Sequence, residues 1–306
     1  MSRVSGDPIG WFCRDTADDG TARSRAAAIM TLISPEPEGE RVTDVRIALL
    51  GAELRTQRDR VGLSLAEVTA KVGISAAKLS RMENGRAAQA PDDVAALLGL
   101  YGVTGLSRED LLDVAGSLAG DGTDAALRFL EARAAMLVDY QSALIPELLQ
   151  TVPYAQAALR EVSMLDDDAV LDRWTQRIHR QSVLRRPNPP RYYAIIAEAA
   201  LRNTVGGRTV MREQLRYLIE AGARRTVTLR LIPDLAHGHP GLGGSFQRLQ
   251  FPHRGAVVVL DKRTSRLFVE DPAEVKHYDR VVVELLSTAL SEADTLTRIG
   301  QLTRAS

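Results

Sequence analysis

The chain has 306 residues, with 39 Lys plus Arg against 39 Asp plus Glu, 45% hydrophobic and 5% aromatic residues, and one cysteine. A single cysteine excludes an internal disulfide framework and a cysteine-based zinc finger, and no run approaches the roughly 18 apolar residues of a membrane helix. With a formal net charge of zero, any attraction to nucleic acid must come from a locally basic region, and the length suits two domains.

Residues 1–43 mix Asp, Ser, Thr, Gly, Pro and Arg without an amphipathic stripe. They read as a disordered N-terminal tail, or as sequence upstream of the true start. Cys13, beside Trp11 and Phe12, has no activating base nearby and reads as incidental. No apolar signal-peptide core is present in this stretch, so the expected address is the cytoplasm, with no membrane partner.

Residues 44–116 read as an all-helical head of five helices. The first runs from about Asp44 to Arg60, with Ile47, Leu50, Leu54 and Val61 spaced for one buried face. Ser64 and Glu67 form a capping box that starts a second helix with Leu65, Val68 and Val72 on one face. Gly73 suits the left-handed turn that ends it, and Ser75 caps a third helix whose inward residues are Leu79 and Met82. Pro91-Asp92-Asp93 opens the fourth, with Val94, Leu97, Leu98 and Tyr101 inward. Ser107 to Asp110 is a capping sequence for the fifth, through Leu111, Leu112 and Val114, and residues 117–124 are the linker.

Two short helices joined by a glycine turn make a helix-turn-helix. The outward residues of the third helix are Ala76, Ala77, Lys78 and Arg81. Small residues let a helix sink into the major groove, and Lys and Arg donate to guanine O6 and N7, so these four are the expected base contacts. From Arg55 to Arg86 seven basic residues face three acidic ones, a local charge of +4. Ser64, Leu65 through the amides of its turn, Asn84 and Arg86 lie at helix edges, where phosphate oxygens would fit.

Leu50, Leu54, Arg58, Gly62-Leu63-Ser64, Ala66-Glu67, Lys71-Val72-Gly73, Leu79 and Glu83-Asn84-Gly85-Arg86 resemble the helix-turn-helix of the phage Cro and repressor family, the xenobiotic-response-element type. The resemblance implies binding to double-stranded DNA, and an ion pair between Arg58 and Glu83 that fixes the recognition helix.

Residues 125–292 read as an α+β body, and 293–306 as a C-terminal tail. Leu127, Leu130, Ala134 and Leu137 suggest a helical stripe, and a helix follows Tyr154 to about Val162. Asp166 to Asp168 start a longer helix with Val170, Trp174, Ile178 and Val183 or Leu184 inward. Its arginines Arg173, Arg177, Arg180, Arg185 and Arg186 read first as a solvated face, with a phosphate-contacting or partner surface as the rival. Strands are expected over 192–197, 227–232, 245–251, 256–260 and 266–270, with helices over 210–221 and from Pro272 to about Leu290. One crossover followed by a meander argues a mixed or antiparallel sheet.

Pro146 to Thr151 with Tyr154, Arg177, Arg180-Gln181, Leu184, Glu198 to Leu201, Gly206-Gly207, Gln214-Leu215 and Gly244 to Phe246 are similar to the C-terminal domain of actinomycete WhiJ-related regulators, described as antitoxin-like. Glu147 stands where such proteins commonly have glycine. The resemblance implies a regulatory domain, frequently encoded beside a small partner protein.

Other chemistry is weaker. Asp234, His237, His239 and His253 offer zinc ligands, but histidines in a Gly/Pro loop more often cap or face water, so no metal and no cofactor is expected. The glycine run 238–244 leads into a strand and lacks the lysine of a phosphate loop, so it reads as a loop at the sheet's mouth, a candidate ligand lid. Ser245 is not in a nucleophile elbow, and no catalytic residue is nominated. Glu198 and Arg202 read as an i,i+4 surface pair.

The fold expected is therefore α+β overall, with an all-α head before a mixed-sheet domain. The function expected is a sequence-specific DNA-binding transcriptional regulator with a C-terminal sensor or partner-binding domain. An antitoxin-like protein that holds a small cognate partner and autoregulates is the alternative, and an enzyme using the glycine/histidine loop is the weaker rival. One head buries little surface, so a homodimer joined beyond Asp124 and a palindromic operator are expected, with a small-molecule effector as a further partner.

Overall fold

The computed structural model describes residues 45–118, 124–234, 236, 238–252, 254–263 and 265–305. All of them lie in the second of two units, Met1–Ser34 and Pro35–Ser306. The expectations for residues 1–43, Cys13, His237 and His253 fall outside the described residues.

The head comprises α1 (Val45–Arg60), α2 (Leu65–Val72), α3 (Ala76–Glu83), α4 (Pro91–Leu100) and α5 (Gly105–Ser117). Leu50, Leu54, Val68, Leu79, Met82, Val94, Leu97, Leu98 and Val114 are each fully buried between them. Burial of a Leu or Val side chain stabilises by about 1.5–3 kcal/mol, so this cluster holds five short helices that would be marginal alone. Three boundary expectations need correcting. Val61 is exposed, because α1 ends at Arg60 and the chain turns before it. α5 starts at Gly105 behind Thr104, two residues before the Ser107 cap. Ser117, assigned to the linker 117–124, is buried in the last turn of α5, and Asp124 opens the next helix.

The body follows as α6 (Asp124–Glu131), β1 (Met136–Gln141), α7 (Val152–Glu161), α8 (Asp167–Gln181), β2 (Arg191–Ala197), α9 (Glu198–Arg202), α10 (Gly207–Gly222), β3 (Val227–Ile232), β4 (Phe246–Phe251), β5 (Gly255–Asp261), β6 (Arg266–Val269), α11 (Pro272–Thr288) and α12 (Glu292–Ala305). The six-stranded sheet runs β3-β2-β1-β4-β5-β6. β1, β2 and β3 are parallel, while β4, β5 and β6 continue from β1 antiparallel. Such a mixed sheet arises because helical crossovers join the first three strands and short turns join the last three.

Three further expectations change. The helical stripe through Leu137 breaks after Glu131, and Met136–Gln141 is the central strand instead, buried on both faces. A strand covered on both sides loses the alternation that marks a strand in sequence. Residues 293–306 are not a tail: α12 packs on α10 and β3, buries Ile299 and Leu302, and Thr295 Oγ1 accepts from Leu231 N at 3.1 Å. Glu198 is not half of a surface pair. It is buried at the end of β2 and accepts from Arg202 at 2.5 Å, from Arg298 Nη2 at 2.6 Å and from the amide of Asp234. The glycine run 238–244 is an exposed loop holding a short 3-10 helix, Pro240–Gly243, anchored at Gly241, where a Cβ would lie 2.3 Å from the Tyr140 hydroxyl oxygen.

The expected solvated arginines of α8 divide. Arg173 and Arg185 are exposed, but Arg180 is 3% exposed and Arg177 is half-buried. Arg180 donates to both oxygens of buried Glu131, at 2.9 and 2.7 Å, and with Arg177 also to Glu147. Ile178, expected inward, is exposed, because α8 turns its arginine edge to the body.

Head and body share one hydrophobic cluster. Arg46 reaches from α1 to Glu270 at 2.5 Å and lies 5.1 Å from the Phe268 ring centre. Glu53 pairs with Arg133 at 2.5 Å, Asp110 pairs with Arg128, and α5 packs along α6.

Candidate nucleic-acid interface

Local chemistry sets the two helices of the motif. Glu67 N donates to Ser64 Oγ at 3.3 Å while Ser64 N donates to Glu67 Oε2 at 2.8 Å, the reciprocal pair of a capping box. Gly73, at φ 79°, ends α2 in the left-handed region that favours glycine. Lys78 N then donates to Ser75 Oγ at 3.2 Å, starting α3 after a three-residue turn.

Three contacts hold α3 in place. Arg58 Nε and Nη2 donate to the two oxygens of Glu83 at 2.7 and 2.9 Å, and Nη1 donates to Leu63 O at 2.8 Å. The hydrogen bonds that Arg58 donates to Glu83 raise its pKa, outweighing burial. Tyr101 stands beside this pair, and burial, followed by the Glu83 charge, pushes its phenol up to about 12. Gln89 Nε2 donates to Met82 O at 2.9 Å and Ile47 O at 3.1 Å, joining the end of α3 to α1. The helices cross tightly because Gly51 has no side chain: a Cβ there would meet Met82 O at 2.2 Å.

Leu79, Met82 and Glu83 are buried, so the opposite side of α3 faces solvent. At 100° per residue, Ala77 and Arg81 stand at the centre of that side, with Ser80 and Lys78 flanking it, and Ala76 falls beyond its edge, towards Glu83. Ala76, Ala77 and Arg81 are exposed, and Arg81 has no ion-pair partner among the described residues. Lys78 differs: its ammonium lies 2.6 Å from Asp93 on α4, which draws it sideways off the face. Ser64, Asn84 and Arg86 are exposed and Leu65 is half-buried against the core. The Ser64 hydroxyl is occupied by Glu67 at 2.7 Å, and Asn84 Nδ2 donates to Ser80 O at 2.7 Å. Thus Ala77 and Arg81 share one open face, Ala76 is exposed at the start of the helix to one side of it, Asn84 and Arg86 follow its end, and Lys78 is tethered at its rim. Gln89 and Asp93 were missed in the sequence. Neither lies in the motif, and nothing local marks a side chain that reaches back across two turns.

The body's polar centre is closed to solvent. Asp139 on β1 accepts from Tyr192 Oη at 2.8 Å, Gln247 Nε2 at 2.9 Å and Gln141 Nε2 at 2.8 Å. Burial nevertheless pushes its carboxyl up to about 6. Burial also raises Glu147, but Arg177 and Arg180 outweigh it and hold that carboxyl well below the usual range. Among the described residues no group of His, Cys, Asp and Glu is placed to hold a metal ion, and no helix is long and apolar enough to cross a membrane.

Comparison with protein families gives two matches. Residues 49–111 match a helix-turn-helix domain, which covers the head from within α1 into α5. Residues 125–301 match a domain of unknown function (DUF5753), which covers the body from α6 into α12. No curated protein and no solved structure matches the chain.

Proposed function

Since the chain belongs to the DUF5753 family, whose domain spans more than half of it behind a helix-turn-helix head, we propose that it is a sequence-specific transcriptional regulator whose body senses an effector or holds a partner. The observation that carries this reading is the open face of α3. Its centre pairs a small residue, Ala77, with Arg81, a cation without an ion-pair partner among the described residues, and no acidic residue of α3 stands on it. A small residue lets the helix approach base edges, and a guanidinium donates in bidentate fashion to guanine. The Arg58–Glu83 pair supports the same reading, since it fixes the pose of α3 from behind. Phosphate contacts then fall to Arg86, Asn84 and the Leu65 amide, since Glu67 takes both the amide and the hydroxyl of Ser64, and a dimer would read a two-fold operator.

Selection of bound duplexes from a random library tests this. A defined motif is expected, and Arg81→Ala should cost about 1–3 kcal/mol on it and relax preference at one position. Equal weakening on all sequences would assign Arg81 to phosphate instead, and recovery of no motif would end the sequence-specific reading.

A further inference from the structure

Nine large apolar side chains are exposed among the described residues. Five of them, Val152, Val162, Met164, Leu171 and Ile178, fall in the α7–α8 hairpin. Scattered apolar residues need no explanation, but two of these, Leu171 and Ile178, stand on one side of α8, away from the body. Leu171 is 57% and Ile178 38% exposed, seven residues apart on α8 with Thr175 between them. Together with Asp168 and Ser182 they follow the alternating three- and four-residue spacing of a helix seam. The other side of α8 is committed to the body through Val170, Arg177 and Arg180.

Charge along the seam selects the occupant. Asp168 and Asp172 are exposed at its N-terminal end and His179 near its C-terminal end, with Arg185 exposed four residues beyond the end of α8. None of the four has an ion-pair partner among the described residues. We infer that α8 is a dimer seam, pairing with α8 of a second copy in antiparallel fashion about a two-fold axis near Thr175. In that arrangement Leu171 meets the partner's Ile178, and Asp168 and Asp172 lie on either side of the level of the partner's His179, each roughly 3 Å from it along the axis. Two-fold symmetry repeats each contact, so one patch serves both copies. Parallel pairing would set acid against acid and base against base, which is repulsive. The small side chain of Thr175 lets the helices approach at the axis. This inference gives the two-fold operator reading its physical joint and rests on that reading only for its purpose, so assembly is measured without DNA.

The test uses the full chain. Light scattering at tens of micromolar should show a dimer, and Leu171→Glu with Ile178→Glu should raise its dissociation constant by about a hundredfold or more, equivalent to at least about 2.8 kcal/mol. Both side chains are exposed, so the variant should keep its fold, with an unchanged circular dichroism spectrum and an unfolding temperature lowered only by the lost association. In a Cys13→Ser background, Thr175→Cys should cross-link to its own mate under mild oxidation, because the axis brings the two β-carbons together. Thr209→Cys on α10 serves as the control. A monomeric parent, a dimer indifferent to the two glutamates, or a Thr175→Cys no faster to cross-link than Thr209→Cys would each overturn the inference. This includes the case in which the chain's own first residues, or a different protein, cover the hairpin. A dimer that selects no DNA motif would retire the regulator reading and leave this one standing.

Discussion

In the head, Leu50, Leu54, Val68, Leu79 and Met82 form a core of aliphatic groups, and the cations Arg81 and Arg86 face outward. In the body, Asp139, Glu131 and Arg180 lie inside, each 3% exposed or less, on or beside the central strand. The difference is physical. A surface that meets phosphates must keep its charges solvated and free to exchange counterions. Charges inside a core must be matched to one another or they destabilise it. The head spends one buried ion pair, Arg58–Glu83, on orientation, whereas the body builds a network from Glu131 through Arg180 and Glu147 to Arg177 and Gln150. Substitutions in the body should therefore act on folding, and those in the head on DNA.

The largest effect should come from Arg180→Ala. It leaves Glu131 buried without its counter-ion, at a cost of about 3–5 kcal/mol in urea unfolding. A cost under about 1 kcal/mol would mean that the network is solvated, and the contrast between head and body would collapse.

Next comes Asp139→Asn, which keeps the shape and removes the charge. The folded carboxyl titrates at about 6, above the roughly 3.9 of an unfolded aspartate. Native protein thus binds the proton more tightly, so stability from this group is full below about pH 4 and is lost as pH rises through 6. The variant should gain about 2–3 kcal/mol at pH 7, and the gain should shrink towards zero near pH 4. Glu147, held low, has the opposite slope: its contribution is lost as pH falls, and Asp139→Asn leaves that part untouched. A gain that does not vary with pH would assign the effect to packing.

The smallest effects belong to the head. Arg86→Ala should weaken all sequences evenly and reduce the salt slope by about 0.9, the share of one phosphate. Asp93→Asn should do the reverse, since it frees Lys78 from its 2.6 Å pair. Non-specific affinity should rise and the slope should steepen by up to about 0.9, and both changes should vanish when Lys78→Gln is added. If Asp93→Asn leaves the slope unchanged, Lys78 reaches DNA without leaving Asp93.

Much of the head was legible in the chain. The Ser64–Glu67 box, the Gly73 turn and the Ser75 cap are local devices, each satisfied within a few residues. Most of the body's strands were legible as well, because turn residues bound them. The order of the sheet and the central place of β1 were not, since a strand buried on both faces carries no alternation. The same holds for Arg180, which reads as surface on a helix, and for Glu198, which reads as half of an i,i+4 pair. Their burial depends on Glu131, Glu147 and Arg298, which lie 33 to 100 residues away. Sequence alone determined the two helices of the motif, the caps at Ser64, Gly73 and Ser75 and the motif's basic character, because these depend on neighbours along the chain. Only the tertiary structure decided which charges stay in water, since a charge's free energy depends on what the fold brings beside it.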